Sequence, residues 1–318
     1  MLNKKEKILI IGFGKIGQRH YKNLLSLGYK NISVYDVDKV KLKKLEVKFV
    51  ENFNKKILDQ FDIAFVCNPT HLHIKTALQC AKAGCDIFIE KPLSSSLRSI
   101  KDLKKICAQK KLVAMIGCNM RFHPCLSFIK KYLKSKKLGK VYSIYHEFGE
   151  NLTNWRSVKD YKKSYAAGKN YGGGIILDDI HEFDLLFWLN DFFGVKKSFF
   201  VCNNSGAFNL SIEDNCVASF EFKNNVLGSV RCDYLQKKYS RTCKIVGSKG
   251  VIEWDFNENI VWLHSYNKSK KLLSVKKYNT NAMYVHEIDY FLKSVNDRRN
   301  PMNNITEAES VLKYCVKR

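Results

Sequence analysis

A short apolar run, Ile8-Leu9-Ile10-Ile11, leads straight into Gly12-Phe13-Gly14-Lys15-Ile16-Gly17. Few chain arrangements accommodate both features at once. Four apolar residues without polar alternation fit a parallel strand buried on both faces. The residues that follow place Ile16, Leu24, Leu25 and Leu27 on one side of a helix. Each glycine then has a physical task. Gly12 permits the tight turn, Gly14 lets backbone approach a pyrophosphate, and Gly17 lets helix and strand pack closely. The helix N-terminus offers N–H groups and a partial positive charge to phosphate. Asp36 closes the next apolar run, Ile32-Ser33-Val34-Tyr35, 24 residues past the first glycine. A ribose-binding carboxylate belongs at about that distance, roughly 20 residues on. The stretch therefore predicts a dinucleotide site made by residues 12–17, Lys15 and Ile16 included, and by Asp36. Asp36 favours NAD(H), because a carboxylate pairs with a 2′-hydroxyl and repels a 2′-phosphate. Lys39 nearby keeps NADP(H) possible.

Beyond the first strand, apolar runs alternate with amphipathic stretches up to about residue 118. Strands are expected at Ile8–Ile11, Ile32–Tyr35, Lys48–Val50, Ile63–Cys67, Ile87–Ile89 and Val113–Gly117. Helices are expected near Lys15–Leu27, Asp38–Val47, Leu72–Ala83 and Leu97–Gln109, with a linking helix at His123–Lys134. Strict alternation of this kind gives a doubly wound parallel sheet, a Rossmann architecture. After Gly139 the pattern changes to successive strands: Val141–Phe148, Lys197–Cys202, Val217–Phe222, Val226–Asp233, Thr242–Val246, Val251–Phe256 and Ile260–His264. Strands without intervening helices imply an α+β domain with an open, mainly antiparallel sheet. Helices are expected at Gly174–Leu189, Tyr284–Val295 and Thr306–Val316. The domains are expected at residues 1–120 and 121–318, with the final helices able to pack back on the first.

The composition, 45% hydrophobic and 27% charged, is that of an ordinary globular protein. No apolar run nears the ~20 residues that span a bilayer, and the basic-then-apolar start is too short for a secretory signal. The net charge of +25 comes from lysines spread along the whole chain, without a recognition-helix or aromatic–basic pattern. A solvated basic surface with some pull on an anionic substrate is expected, rather than a nucleic-acid or membrane partner. Eleven scattered cysteines, with no paired spacing, point to buried thiols in a reducing, cytoplasmic setting, and no metal site is expected.

Three further stretches carry polar groups where chemistry would sit. Cys67-Asn68-Pro69-Thr70 ends a strand at the carboxyl edge, where Asn68 and Thr70 can bond a cofactor, Pro69 fixes the turn, and His71 follows. His71 and His73 suit ligand contact and helix capping equally. Glu90-Lys91-Pro92 ends the next strand, with Lys91 able to donate to a hydroxyl and Glu90 able to tune it. A salt bridge between them fits equally. In Gly172-Gly173-Gly174-Ile175-Ile176-Leu177-Asp178-Asp179-Ile180-His181-Glu182-Phe183-Asp184, a continuous helix would place Asp178, His181 and Asp184 near one face. A carboxylate beside an imidazole orients it and raises its basicity, as proton abstraction from an alcohol requires.

These stretches together resemble the Gfo/Idh/MocA oxidoreductases. GFGKIGQRH is similar to that family's cofactor loop, NPTHLHIKTALQCAKAGCDIFIEKPLS to the segment ending in its EKP motif, and GCNMRFHP to its connecting region. GGGIILDDIHEFD resembles the substrate helix and VGSKGVIEW a hairpin of the second domain. The resemblance implies hydride transfer between nicotinamide and a carbinol carbon of a sugar or cyclitol. It implies that Lys91 contacts substrate and cofactor and that His181 is the general acid/base. It also implies homo-oligomers, dimers or tetramers, formed through the open sheet. The family places an aspartate four residues before the histidine; here Asp178 precedes His181 by three, and Leu177 stands at four. GENLTNWRSVKDYKKSYAA, with Trp155, Arg156, Tyr161 and Tyr165, resembles a subgroup tied to bacterial surface-sugar biosynthesis. That would suit a nucleotide-linked or acidic sugar, whose negative groups Arg121 and Arg156 would meet. Two alternatives remain at this stage. One is a cofactor-binding sensor or scaffold without turnover, and the other a redox-neutral, NAD-dependent eliminase or epimerase.

Overall fold

The computed structural model describes residues 4–155 and 172–316. The chain divides into two compact units, Met1–Asn119 with Asn281–Val316, and Met120–Thr280.

The first unit is built on five parallel strands: β1 (Ile8–Ile11), β2 (Ile32–Tyr35), β3 (Ile63–Val66), β4 (Asp86–Glu90) and β5 (Ala114–Gly117), in the order β2-β1-β3-β4-β5. All four residues of β1 are buried, as are those of β3, because each strand has a neighbour on both edges and helices over both faces. The helices are α1 (Lys15–Ser26), α2 (Lys39–Lys44), α3 (Lys55–Leu58), α4 (His73–Ala83) and α5 (Ile100–Gln109). Strand order reverses between β1 and β3. The carboxyl ends of those two strands are therefore the place where a doubly wound sheet receives a ligand.

The expected strand at Lys48–Val50 is only a single parallel bridge, Val34 to Phe49. Three residues at a sheet edge, none of them buried, bring too little apolar surface to extend a ladder. The short α3 lacked a periodic signal. Its N-cap is Asn54, whose side chain accepts from the Ile57 N–H.

The second unit contains α6 (Pro124–Lys134), β6 (Val141–Gly149), α7 (Leu152–Trp155), α8 (Ile175–Asp178) and α9 (His181–Leu189). The strands β7 (Val195–Asn203), β8 (Asn215–Phe222), β9 (Leu227–Asp233), β10 (Ser240–Gly247), β11 (Gly250–Asp255), β12 (Ile260–Ser265) and β13 (Lys268–Ser274) follow. They form one eight-stranded sheet, β13-β12-β11-β10-β6-β9-β8-β7, antiparallel except where β6 pairs with β9. The outermost strand, β13, was not expected. Its sequence KSKKLLS carries exposed lysines, which suit a sheet edge but hide the alternation of a strand.

Helix α9 covers one face of this sheet, against β6 and β9. The opposite face carries Tyr145, Phe199, Val201, Val217 and Leu227, all exposed, and the strand registers place them on one side. Chain ends α10 (Asn281–Asn296) and α11 (Ile305–Cys315) belong to the first unit, where α10 packs on α1 and α11 on α5 and β5. Among the described residues no helix is long and apolar enough to cross a membrane.

Candidate active site

In the first unit the glycine loop, the β2 terminus and the β3 terminus meet at the switch point. The Gly12 N–H donates to the Tyr35 carbonyl at 2.8 Å, and the Cys67 N–H to the Ile11 carbonyl at 2.7 Å. Gly12 has φ +93°, and a Cβ there would lie 2.5 Å from the Asn68 nitrogen. Only glycine fits, since the turn needs left-handed backbone pressed against the next strand's exit. At Gly17 a Cβ would fall 2.1 Å from the Gly12 carbonyl oxygen, so helix α1 could not sit so close to its own loop. Gly14 differs from both. It is exposed, and nothing lies within 4 Å of where its Cβ would point. The start of α1 has no side-chain cap and no acidic residue in its first turn. An uncapped helix start with open space over the middle glycine suits a pyrophosphate.

Asp36 is fixed by its own backbone surroundings. One carboxylate oxygen accepts the Phe13 N–H at 2.6 Å and the other the Asp38 N–H at 3.0 Å. The Lys41 ammonium donates to the Phe13 carbonyl at 2.6 Å, and Lys39 reaches the Val50 carbonyl while lying 4.1 Å over the Tyr35 ring. Lys15 is exposed at the first turn of α1, Ile16 is half-buried, and the Phe13 ring is buried edge-on to Tyr21. These groups fit an NAD-sized dinucleotide: a backbone cradle, a helix dipole and a preset carboxylate.

The two following strands end on the same edge. Asn68 bonds Thr76 through its amide nitrogen, Pro69 and His71 are exposed, and Thr70 is buried. His73, held open between two roles by the sequence, is buried, with its ring nitrogens 2.8 Å from the carbonyls of Asn68 and Pro92. It ties the two candidate cofactor segments together rather than facing a ligand. Burial draws its pKa below the ordinary imidazole value against the pull of those carbonyls. Glu90 at the end of β4 does not simply pair with Lys91. Its carboxylate meets the His20 ring nitrogen Nε2 at 2.5 Å and accepts the Lys91 backbone N–H at 3.2 Å. Lys91 itself is half-buried.

In the second unit the stretch around His181 is not one continuous helix. Asp179 (φ −110°, ψ 43°) breaks it into α8 and α9, so Asp178 and His181 lie on either side of the break. The expected face is thereby interrupted between Asp178 and His181, while His181 and Asp184 stay three apart on α9, and the acids take separate partners. Asp178 accepts from the Tyr234 hydroxyl at 2.9 Å. Asp184 takes Arg121 in a bidentate pair, 2.8 Å from Nε and 2.6 Å from Nη2. Arg121, expected to meet a negative group on a substrate, is buried, with Trp188 and Phe192 rings beside its guanidinium. Asp184 thus takes one edge of its guanidinium.

A helix buried on all sides must pair every charge it carries, and α9 does so. Arg241 on β10 donates to Asp179 at 2.6 Å and lies 2.8 Å from Glu182 through Nε. His146 on β6 stands 3.3 Å from Glu182. Burial works against a charge on His146, yet Cys243 and the Glu182 carboxylate outweigh it and push its pKa up to about 10. Asp179 and Glu182 flank His181, so this network holds the segment that presents the histidine, itself 8% exposed. Tyr234, Arg241, His146 and His20 escaped the sequence reading, because each partner lies far along the chain. Trp155 falls in α7, and Arg156, Tyr161 and Tyr165 lie outside the described residues.

Residues 6–118 match the family model described as an oxidoreductase family with an NAD-binding Rossmann fold. Residues 127–253 match the model of the GFO/IDH/MocA C-terminal domain. The chain belongs to the Gfo/Idh/MocA oxidoreductase family. A relative from Bacillus subtilis (strain 168), scyllo-inositol 2-dehydrogenase (NAD(+)), is 21% identical over 96% of this chain and 90% of its own length. Among solved structures, levoglucosan dehydrogenase in complex with NADH superposes with a TM-score of 0.85. It is 16% identical, over 97% of this chain and 94% of that one. UDP-N-acetylglucosamine 3-dehydrogenase GnnA from Acidithiobacillus ferrooxidans gives 0.80 at 17% identity, over 98% and 96%. This Gfo/Idh/MocA member is thus an enzyme of the oxidoreductase class with an NAD-binding domain, and its fold is shared by dehydrogenases of varied substrates.

Proposed function

We propose that this protein transfers hydride between nicotinamide and a hydroxyl-bearing carbon of a sugar, cyclitol or nucleotide sugar. The observation that carries the proposal is the placement of Lys91. It follows directly on the end of β4, at the sheet edge where the glycine loop and Asp36 form a dinucleotide cradle. When bound, nicotinamide supplies the hydride acceptor. The Lys91 ammonium stabilises negative charge on the substrate oxygen, and the His181 imidazole takes the hydroxyl proton. Asp178, oriented by Tyr234, remains the carboxylate that belongs to this group by sequence position. Asn68, Thr70 and His71 frame the cofactor, and Asp36 selects NAD(H) over NADP(H).

Relatives acting on an inositol, an anhydrosugar and a UDP-sugar support a polyol substrate. The likeness of residues 149–167 to the surface-sugar subgroup supports a place in bacterial glycan biosynthesis. Trp155, Arg156 and Tyr165 are the substrate contacts this implies. The exposed apolar face of Tyr145, Phe199, Val201, Val217 and Leu227 supports a homo-oligomer formed through the sheet. The scattered spacing of the eleven cysteines, most of them buried, supports a reducing, cytoplasmic location.

The test uses Lys91→Ala beside the wild type, with NADH binding followed by fluorescence and turnover by reduced-nicotinamide absorbance. Turnover should fall by about two to three decades, the size of an oxyanion-stabilising contact, while NADH affinity is largely kept. Wild-type turnover in the variant would remove Lys91 from the reaction.

A further inference from the structure

His20 lies fully buried on α1, the helix that begins at the glycine loop, and its Nε2 is 2.5 Å from Glu90 Oε1. Its ring is walled by Phe65 at 5.7 Å, Phe88 at 5.2 Å and Tyr284 at 6.3 Å. A carboxylate can only accept, so Nε2 carries the proton and donates it to Glu90. Nδ1 meets no hydrogen-bond partner among the described residues.

The second Glu90 oxygen accepts the backbone N–H of Lys91 at 3.2 Å. Across the ladder, Gly117 on β5 faces Glu90, and a Cβ there would stand 3.2 Å from Oε1 and 3.0 Å from the Phe88 ring. The carboxylate is thus confined on three sides, with one oxygen turned to α1 and the other to Lys91. In an aromatic pocket of this kind an apolar residue would pack as stably as a buried polar pair. The pair therefore calls for a reason other than stability.

We propose that His20 is a positioning residue: through Glu90 it fixes the backbone at Lys91, and so couples the dinucleotide-loop helix to the residue that acts on substrate. The coupling rests on the role given to Lys91 above, and its geometry stands apart from that role. Moving α1 by a fraction of an ångström would move the His20 donor, the Glu90 carboxylate and the Lys91 backbone together.

Two variants test this in the full-length protein. His20→Phe keeps aromatic volume and removes the donor, whereas His20→Gln retains a donor. The first readout is amide hydrogen exchange at Lys91 by NMR. Loss of a charge-assisted contact should speed exchange at Lys91 about tenfold or more in His20→Phe, with β1 and β3 amides changed less than about twofold. His20→Gln should restore most of the protection. With a turnover substrate, kcat should fall about tenfold in His20→Phe, with NADH affinity and KM within about threefold. Should His20→Phe fail to fold, Glu90→Gln carries the same test. Its amide cannot serve both His20 and Lys91 as a carboxylate does, so Lys91 should again exchange faster. Unchanged exchange at Lys91 would overturn the proposal, and so would a uniform acceleration across the strands, which marks a merely structural role. If wild-type protein reduces no nicotinamide, the functional reading fails while the exchange result still decides the positioning claim.

Discussion

The two glycines Gly14 and Gly17 make opposite predictions when each is changed to alanine. Gly14 has φ −67° and ψ −169°, extended backbone that any residue adopts, and nothing lies within 4 Å of its added methyl. Gly14→Ala should therefore fold as well as the wild type, and gain up to about 0.5–1 kcal/mol from a stiffer unfolded chain. Its methyl would occupy the space that a pyrophosphate needs for close contact with the loop amides. Losing one or two hydrogen bonds to a charged group costs about 1.5–3 kcal/mol each. NADH affinity should accordingly drop by about tenfold to a hundredfold or more. Gly17→Ala instead sets a methyl 2.1 Å from the Gly12 oxygen, a contact that only a shift of loop or helix relieves. Overpacking of this kind costs about 1–3 kcal/mol, so this variant should lose stability as well as affinity. Paired thermal melts and NADH fluorescence titrations separate the cases. A Gly14→Ala protein that melts normally and binds NADH with wild-type affinity would refute the placement of the dinucleotide.

Other expectations concern the second unit. Arg241→Met leaves the buried carboxylates of Asp179 and Glu182 without their guanidinium. Breaking such a cluster costs about 3–5 kcal/mol, a fall in melting temperature of roughly 6–20 °C for a domain of this size; a shift under about 2 °C would contradict it. Burial of His123, partly offset by its bond to Asn259, holds its pKa down to about 4. The unfolded chain then takes up a proton that the native chain refuses. His123's contribution is present above pH ~6.5 and is lost as pH falls toward 4, up to about 3 kcal/mol. Urea melts across that range should show the loss, reduced in His123→Gln. His146 has the opposite sign. Raised to about 10, it stabilises fully below pH ~6.5 and less and less as pH climbs through 10.

Local patterns made the first unit legible. An unbroken apolar run, three glycines and an acid at a set distance each reflect a constraint acting within one βα unit. Strands β6 to β12 could be located for the same reason, since alternation and short turns are local. The β13 edge could not, because lysines on an unpaired edge look like loop. The break at Asp179 was hidden in a stretch that is buried throughout and mixes apolar with acidic residues, so no clean helical face marks where one helix ends and the next begins. Site wiring was the least legible part. Arg121 and Asp184 are 63 residues apart, and His20 and Glu90 are 70. Sequence spacing suggested short-range side-chain partners for Asp184 and Glu90, whereas in the fold each carboxylate meets a side chain from far along the chain, Arg121 for Asp184 and His20 for Glu90.

Reduction of nicotinamide by the purified protein bears most directly on the proposed activity. Wild-type enzyme would be mixed with NAD+ or NADP+ and a panel of inositols, sugars and nucleotide sugars, and absorbance of the reduced ring followed. The account predicts reduction of NAD+ by at least one hydroxyl-bearing member, with NADP+ much the poorer acceptor. Tight NADH binding with no reduction of either cofactor across the panel would contradict it.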